Sequence, residues 1–182
     1  MELEQVILVN EQDQSVGSCE KMAAHEQGLL HRAFSVFVFN SRGRLLLQQR
    51  AVGKYHSGGL WTNTCCSHPR PGESTEDAAY RRLQEEMGFQ TELFHAFTFT
   101  YTAGLDKGLV ENEIDHVFTG IYDGEILPNQ EEVMDHSYIS IIQLEESIEQ
   151  FPEKFTIWLR IAFPRIKFWW LDQFEHSVAL AG

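Results

Sequence analysis

The chain has 182 residues, 43% of them hydrophobic and 12% aromatic, which is enough apolar surface for one substantial core and too much for long disordered tracts. No Pro- or Ser-rich linker interrupts it, so a single domain over 1–182 is expected. Lys and Arg total 14 against 27 Asp and Glu, a net charge of −13, which repels polyanions and argues against nucleic acid or an anionic membrane as partner.

At the N-terminus, MELEQVILVN places acids where a secretory signal needs a basic start, and its apolar run is short, so export is not expected. Two apolar runs, RAFSVFVFN and RLLLQQR, flank SRG and predict a hairpin of two strands. An irregular stretch at 51–60 follows, then LWTNTCCSH, read as a short buried strand, and the loop PRPGEST. Ser74 followed by Asp77 resembles a capping box, and TEDAAYRRLQEEM predicts a helix that stops at Gly88. HAFTFTYTA and LVENEIDHVFTGIYDG alternate with period 2 on either side of GLDKG and predict a second hairpin. Residues 141–150 predict a short helix, and the chain closes in apolar helical segments that Pro164 should kink or divide. Arg160, Arg165 and Lys167 break the closing FTIWLRIAFPRIKFWW, which falls short of the roughly 20 uninterrupted apolar residues of a membrane span. Three cysteines, two of them adjacent, make a poor disulfide framework and suit a reducing cytoplasm.

Strand parity sets out the candidate chemistry. Side chains two apart on a strand share a face, so an extended 60–68 puts Cys66 with His68, and an extended 109–119 puts Glu111 with Glu113. A thiol, an imidazole and two carboxylates that converge suit a divalent metal or acid–base work. Each also has a plainer reading. Cys66 reads as a buried small residue, Glu111 and Glu113 as a solvated strand face, and His25 and His31 as surface histidines. Cys65, of opposite parity to Cys66, is expected to face the core. On the helix, Arg82 and Glu86 lie four apart on one face, which alone reads as a surface ion pair.

The stretch from Glu73 through RRLQEEMG resembles the Nudix box, G-x5-E-x7-R-E-U-x-E-E-x-G-U with U aliphatic, a loop and helix that bind divalent metal beside a diphosphate. Ser67 stands where the box has its leading Gly, and Arg82 stands where it has the Glu of its Arg-Glu pair. A cation there is poor for hydrolysis and good for holding phosphate. With WTNTCCSHP before the box and VENE after it, the chain is similar to the type I isopentenyl-diphosphate isomerases of the Nudix superfamily, from about Lys21 to Trp158.

That resemblance implies an α+β fold, a mixed sheet sandwiched between helices, with a core over about 21–160 and a helical C-terminal extension. It implies interconversion of isopentenyl and dimethylallyl diphosphate by metal-dependent protonation and deprotonation of carbon; the alternative is a Nudix-type diphosphate hydrolase. Cys66 and Glu113 match the family's catalytic pair, with Tyr101 as the phenol beside the carboxylate. His25, His31, His68, Glu111 and Glu113 match a metal site for zinc, manganese or magnesium, with one residue fewer between His25 and His31 than the family spacing. Glu86 matches the residue that holds magnesium with the substrate diphosphate. Lys21, Arg50, Lys54 and Arg82 match the diphosphate contacts, and Trp61 and Trp158 are the aromatic candidates for stabilising positive charge. The implied partner is a small isoprenoid diphosphate, and the expected assembly is a monomer, with a dimer as the alternative.

Overall fold

The structure, a computed structural model, describes residues 4–179. Its strands are β1 (Gln5–Val9), β2 (Ser15–Glu20), β3 (His31–Phe39), β4 (Leu45–Arg50), β5 (Trp61–Thr62), β6 (Cys65–Ser67), β7 (Leu93–Gly104), β8 (Val110–Ile121) and β9 (Val133–Ile139). Its helices are α1 (Lys21–Gln27), α2 (Thr75–Met87), α3 (Ile141–Gln150) and α4 (Ile157–Ala179).

β3 organises one mixed sheet of nine strands. It is buried on both faces, as its run of Ala, Phe and Val demands. β8 lies parallel along one edge, from His31 opposite Glu113 to Phe39 opposite Ile121. Three strands share the other edge in succession: β1 at His31, β6 at Phe34–Val36 and β4 at Phe39. β7 extends the sheet beyond β8, while β5 and β9 pair with β4.

Helices cover both faces. Phe34, Val36, Val38, Leu46 and Phe118 pack with Ala78, Ala79, Leu83 and Met87 of α2. Phe37, Phe39, Leu45, Leu47 and Val117 pack on the opposite face with Leu144 of α3 and Trp158, Leu159, Phe163 and Ile166 of α4. Alternate residues of β3 thus serve opposite layers, which is the period-2 rule at work in a doubly covered strand.

α2 starts and stops where its sequence directs. The Ser74 hydroxyl accepts from the Asp77 N–H at 3.0 Å. Gly88 closes the helix at φ 76°, where a Cβ would collide with the Leu127 carbonyl and only glycine fits.

Of the two outcomes expected at Pro164, division does not occur: the proline lies inside one helix, α4. Pro164 and Arg160 are both exposed, and the proline leaves the Arg160 carbonyl without its helical donor. The Arg165 guanidinium donates to the Ile161 carbonyl at 3.2 Å nearby. No helix among the described residues is long and apolar enough to cross a membrane.

Candidate active site

Three imidazoles and two carboxylates meet where α1, β3, β6 and β8 converge. α1 is short, with its first turn fixed by the Glu20 carboxylate, which accepts from the Met22 and Ala23 N–H groups at 2.9 and 2.8 Å. That turn sets His25 Nδ1 2.7 Å from the Lys21 carbonyl. His31 opens β3 with Nδ1 2.7 Å from the Leu29 carbonyl. A carbonyl only accepts, so each Nδ1 carries a proton and each Nε2 faces the group. His68 follows β6, its Nε2 2.9 Å from Glu113 Oε1 and 3.2 Å from His31 Nε2. Glu111 and Glu113 share the inner face of β8.

All five side chains are buried, and their ligating atoms lie within 4.8 Å of one another. His25 Nε2 and Glu111 Oε2 stand 3.1 Å apart, and neither has a hydrogen-bond partner. Buried acceptors crowded around one point need a cation between them, and nitrogen with carboxylate oxygen is a donor set that divalent ions accept. This buried group can bind a divalent metal. Burial, with the charges of His31 and Lys21, holds the His68 imidazole well below its ordinary pKa and leaves it neutral. Burial also opposes protonation of His31, yet the Glu113 carboxylate outweighs it and draws positive charge to this position.

His68, Glu111 and Glu113 line one cleft, together with Cys66, Tyr101 and Trp158. Cys66 enters it from β6 and Glu113 from β8, strands on opposite edges of β3. Cys65 points the other way and is fully buried against α2. Burial pushes the Cys66 thiol up to about 12, against the pull of Arg50; a nearby divalent cation acts in the opposite sense. The Tyr101 hydroxyl donates to Glu113 Oε2 at 2.6 Å. Burial favours the acid form of Glu113, but hydrogen bonds from His31 and Tyr101 outweigh it and hold the carboxyl below its ordinary value.

Lys21, Arg50, Lys54 and Arg82 line the same cleft. They gather in one cleft of a chain whose net charge is −13. Each is aimed by a neighbour. Lys21 sits over the Tyr55 ring at 4.6 Å, Arg50 donates to the His56 carbonyl at 3.1 Å, and Glu132 pairs with both Lys54 and Arg82. Arg82 also donates to Glu86 Oε1 at 2.5 Å, while Gln48 donates to Glu86 Oε2 at 2.8 Å. Burial works against Arg82, but Glu86 and Glu132 hold its pKa above the ordinary value.

The NUDIX domain family matches residues 29–159. Isopentenyl-diphosphate Delta-isomerase 2 of Aromatoleum aromaticum is 52% identical over 163 residues, 90% of this chain and 86% of that protein. The isopentenyl-diphosphate Delta-isomerase of Pectobacterium atrosepticum is 51% identical over 170 residues, 93% of this chain and 95% of that protein. The chain belongs to the isopentenyl-diphosphate Delta-isomerase family of Nudix proteins. Solved structures agree on the fold. A Deinococcus radiodurans protein superposes with TM-score 0.68 at 19% identity, covering 81% of this chain and 90% of its own. The MutT protein of Methanosarcina mazei Go1 gives 0.62 at 20% identity, covering 76% and 93%.

One aromatic expected at the substrate of an isopentenyl-diphosphate Delta-isomerase lies elsewhere. Trp61 does not line the cleft; it packs against the core under α3 and α4, and its carbonyl accepts from the Thr156 N–H at 2.9 Å. Trp61 lies five residues before Cys66, so strand parity gives no reason to set the two on one face; between them Asn63 donates to the Cys65 carbonyl and Thr64 to the Leu46 carbonyl at 2.7 Å each. Trp158 lies at the cleft, buried, with the Arg50 guanidinium 5.2 Å from its ring centroid.

Further residues at or beside the cleft were not among the sequence candidates. Ser35, opposite Cys66 across β3 and β6, donates to Asp115 Oδ2 at 2.8 Å. Burial and the Glu113 charge hold Asp115 well above the usual carboxylate range. Asp115 continues the alternation of Glu111 and Glu113, a signal open to reading. Tyr55 and His56 come from the irregular stretch at 51–60, where no periodicity marks an inward position. Burial pushes the His56 imidazole down to about 3, against the pull of Glu111.

Proposed function

We propose that this isopentenyl-diphosphate Delta-isomerase moves a proton between two carbons of a five-carbon diphosphate, with Cys66 and Glu113 as the groups on either side of the double bond. The observation that carries the reading is their entry into one cleft from opposite edges of β3, a cleft that four cations also line. Isopentenyl diphosphate has an unactivated alkene. A proton added to its terminal carbon leads toward a tertiary cation, and loss of a different proton from the adjacent methylene gives dimethylallyl diphosphate. One of the pair supplies the first proton and the other removes the second; the reverse reaction exchanges their roles, so both groups are needed in either direction.

Lys21, Arg50, Lys54 and Arg82 hold the diphosphate and thereby fix the tail between thiol and carboxylate. Arg82, where a hydrolase carries a carboxylate, supports binding over bond cleavage. Tyr101 orients Glu113 through its 2.6 Å hydrogen bond. Trp158 presents a ring to developing positive charge, worth ~0.5–2 kcal/mol where water is excluded.

His25, His31, His68, Glu111 and Glu113 would hold zinc, manganese or magnesium, and Glu86 would hold a magnesium ion on the diphosphate side. Bound cations supply positive charge that neutralises phosphate and favours ionised forms nearby. The free cysteines fit a reducing cytoplasm. Incubation with isopentenyl diphosphate and magnesium in D2O tests the reaction: deuterium in the allylic product without released phosphate is expected, and phosphate release without label overturns it.

A further inference from the structure

His56 lies outside the five-residue metal group, yet it is buried in the same cleft, with Nε2 3.5 Å from Glu111 Oε1. That nitrogen has no hydrogen-bond partner, and Glu111 Oε2 on the other side of the carboxylate has none either. Glu111 therefore stands between two imidazoles, with His25 toward Oε2 at 3.1 Å and His56 toward Oε1.

The loop that carries His56 has no regular structure but is held at three successive residues. Lys107 Nζ donates to the Tyr55 carbonyl at 3.0 Å, Arg50 to the His56 carbonyl at 3.1 Å, and the Ser57 N–H to Asp106 Oδ1 at 3.2 Å. Ser57 adopts φ 50°, a left-handed conformation that costs a non-glycine residue free energy. At Gly58 a Cβ would lie 2.5 Å from the Val52 carbonyl oxygen, so the turn closes only on glycine. The turn aims one side chain inward, and the His56 ring stands edge-on to Trp158 at 5.5 Å.

We propose that His56 is a positioning residue for the metal group: its Nε2–H holds Glu111 Oε1, leaving Oε2 turned toward His25 and the ion. The inference rests on the metal-site reading above. The tautomer follows from the contacts. A carboxylate only accepts, so Nε2 carries the proton, and Nδ1 accepts from the Ser57 hydroxyl 3.2 Å away. The 3.5 Å gap is one small carboxylate rotation from a hydrogen bond, a tightening common when a site fills. Lys54 lies two residues from His56, so one loop supports both the metal group and the diphosphate clamp.

The test is the affinity of the whole protein for zinc, titrated against a competing chelator, in wild type, His56→Phe, His56→Gln and Ser57→Ala, each checked for folding by circular dichroism melting. Phe keeps the ring beside Trp158 and loses the donor, whereas Gln keeps a donor near Nε2 and loses the ring. His56→Phe is expected to weaken zinc binding by roughly 10- to 100-fold. His56→Gln should recover most of that loss, and Ser57→Ala should cost severalfold. Wild-type affinity in His56→Phe, or a loss confined to His56→Gln, overturns the inference and assigns His56 to packing. Should His56→Phe fail to fold, wild-type affinity in Ser57→Ala overturns it instead. A wild-type protein that binds no zinc, manganese or magnesium overturns the metal-site reading itself, a separate result.

Discussion

Replacing Tyr101 by Phe removes one oxygen and keeps the ring. Tyr101 is 8% exposed, and its hydroxyl donates to Glu113 Oε2 at 2.6 Å, while Oε1 faces His68 at 2.9 Å. The variant therefore strips a charge-assisted hydrogen bond from a buried carboxylate whose other oxygen stays engaged. Such a bond contributes about 1.5–3 kcal/mol, which corresponds to a fall in kcat of roughly 10- to 150-fold if the whole contribution orients Glu113 for reaction. The sign of the pH effect follows as well. Tyr101 helps hold Glu113 below its ordinary value, so the variant raises that pKa and moves the limb governed by Glu113 to higher pH. Conversion of isopentenyl diphosphate at saturating metal, with kcat and KM resolved across pH, provides the assay. KM should stay near wild type, because the four cations are untouched. A kcat within twofold of wild type and an unmoved limb would refute the assignment of Tyr101 to Glu113.

Cys66→Ala should abolish measurable isomerisation, while Cys65→Ala, which shortens a residue packed on α2, should keep most activity and lose about 1 kcal/mol of stability; activity and urea unfolding of both variants check this, and the opposite pattern reverses the assignment. Glu132 tests the charge balance of the clamp. Burial raises its pKa, but Lys54 and Arg82 win and bring it from 4.5 down to about 2. A depressed carboxylate contributes stability above its unfolded pKa and loses it as pH falls through the folded one. The stability difference between wild type and Glu132→Gln should therefore be full above pH 4.5 and vanish toward pH 2, as read by thermal melting across that window.

Where a local pattern decided the structure, the sequence already displayed it. The β3–β4 and β7–β8 hairpins follow their alternation, and α2 follows Ser74 and Gly88. The parity of the two cysteines survived because β6 is a true, if short, strand against β3. Longer-range pairing hid the rest. β1 is an apolar run too short to show a period, placed by pairing with β2 and His31 and by packing Ile7 and Val9 on Ile114, and β2 and β9 are largely polar strands held by β1 and β4. Trp61 was a candidate by its aromatic ring alone; its odd separation from Cys66 gives no parity that would place it beside the thiol, and it packs on the core. His56 was illegible for a different reason: a positive φ at Ser57 and a close approach at Gly58 set its direction, and neither leaves a periodic trace.

A crystal structure of Cys66→Ala with isopentenyl diphosphate and magnesium addresses the central claim most directly. The account predicts the five-carbon tail between position 66 and Glu113, with the diphosphate against Arg82 and Lys54. A tail bound outside that gap, or a diphosphate bound away from those cations, contradicts it.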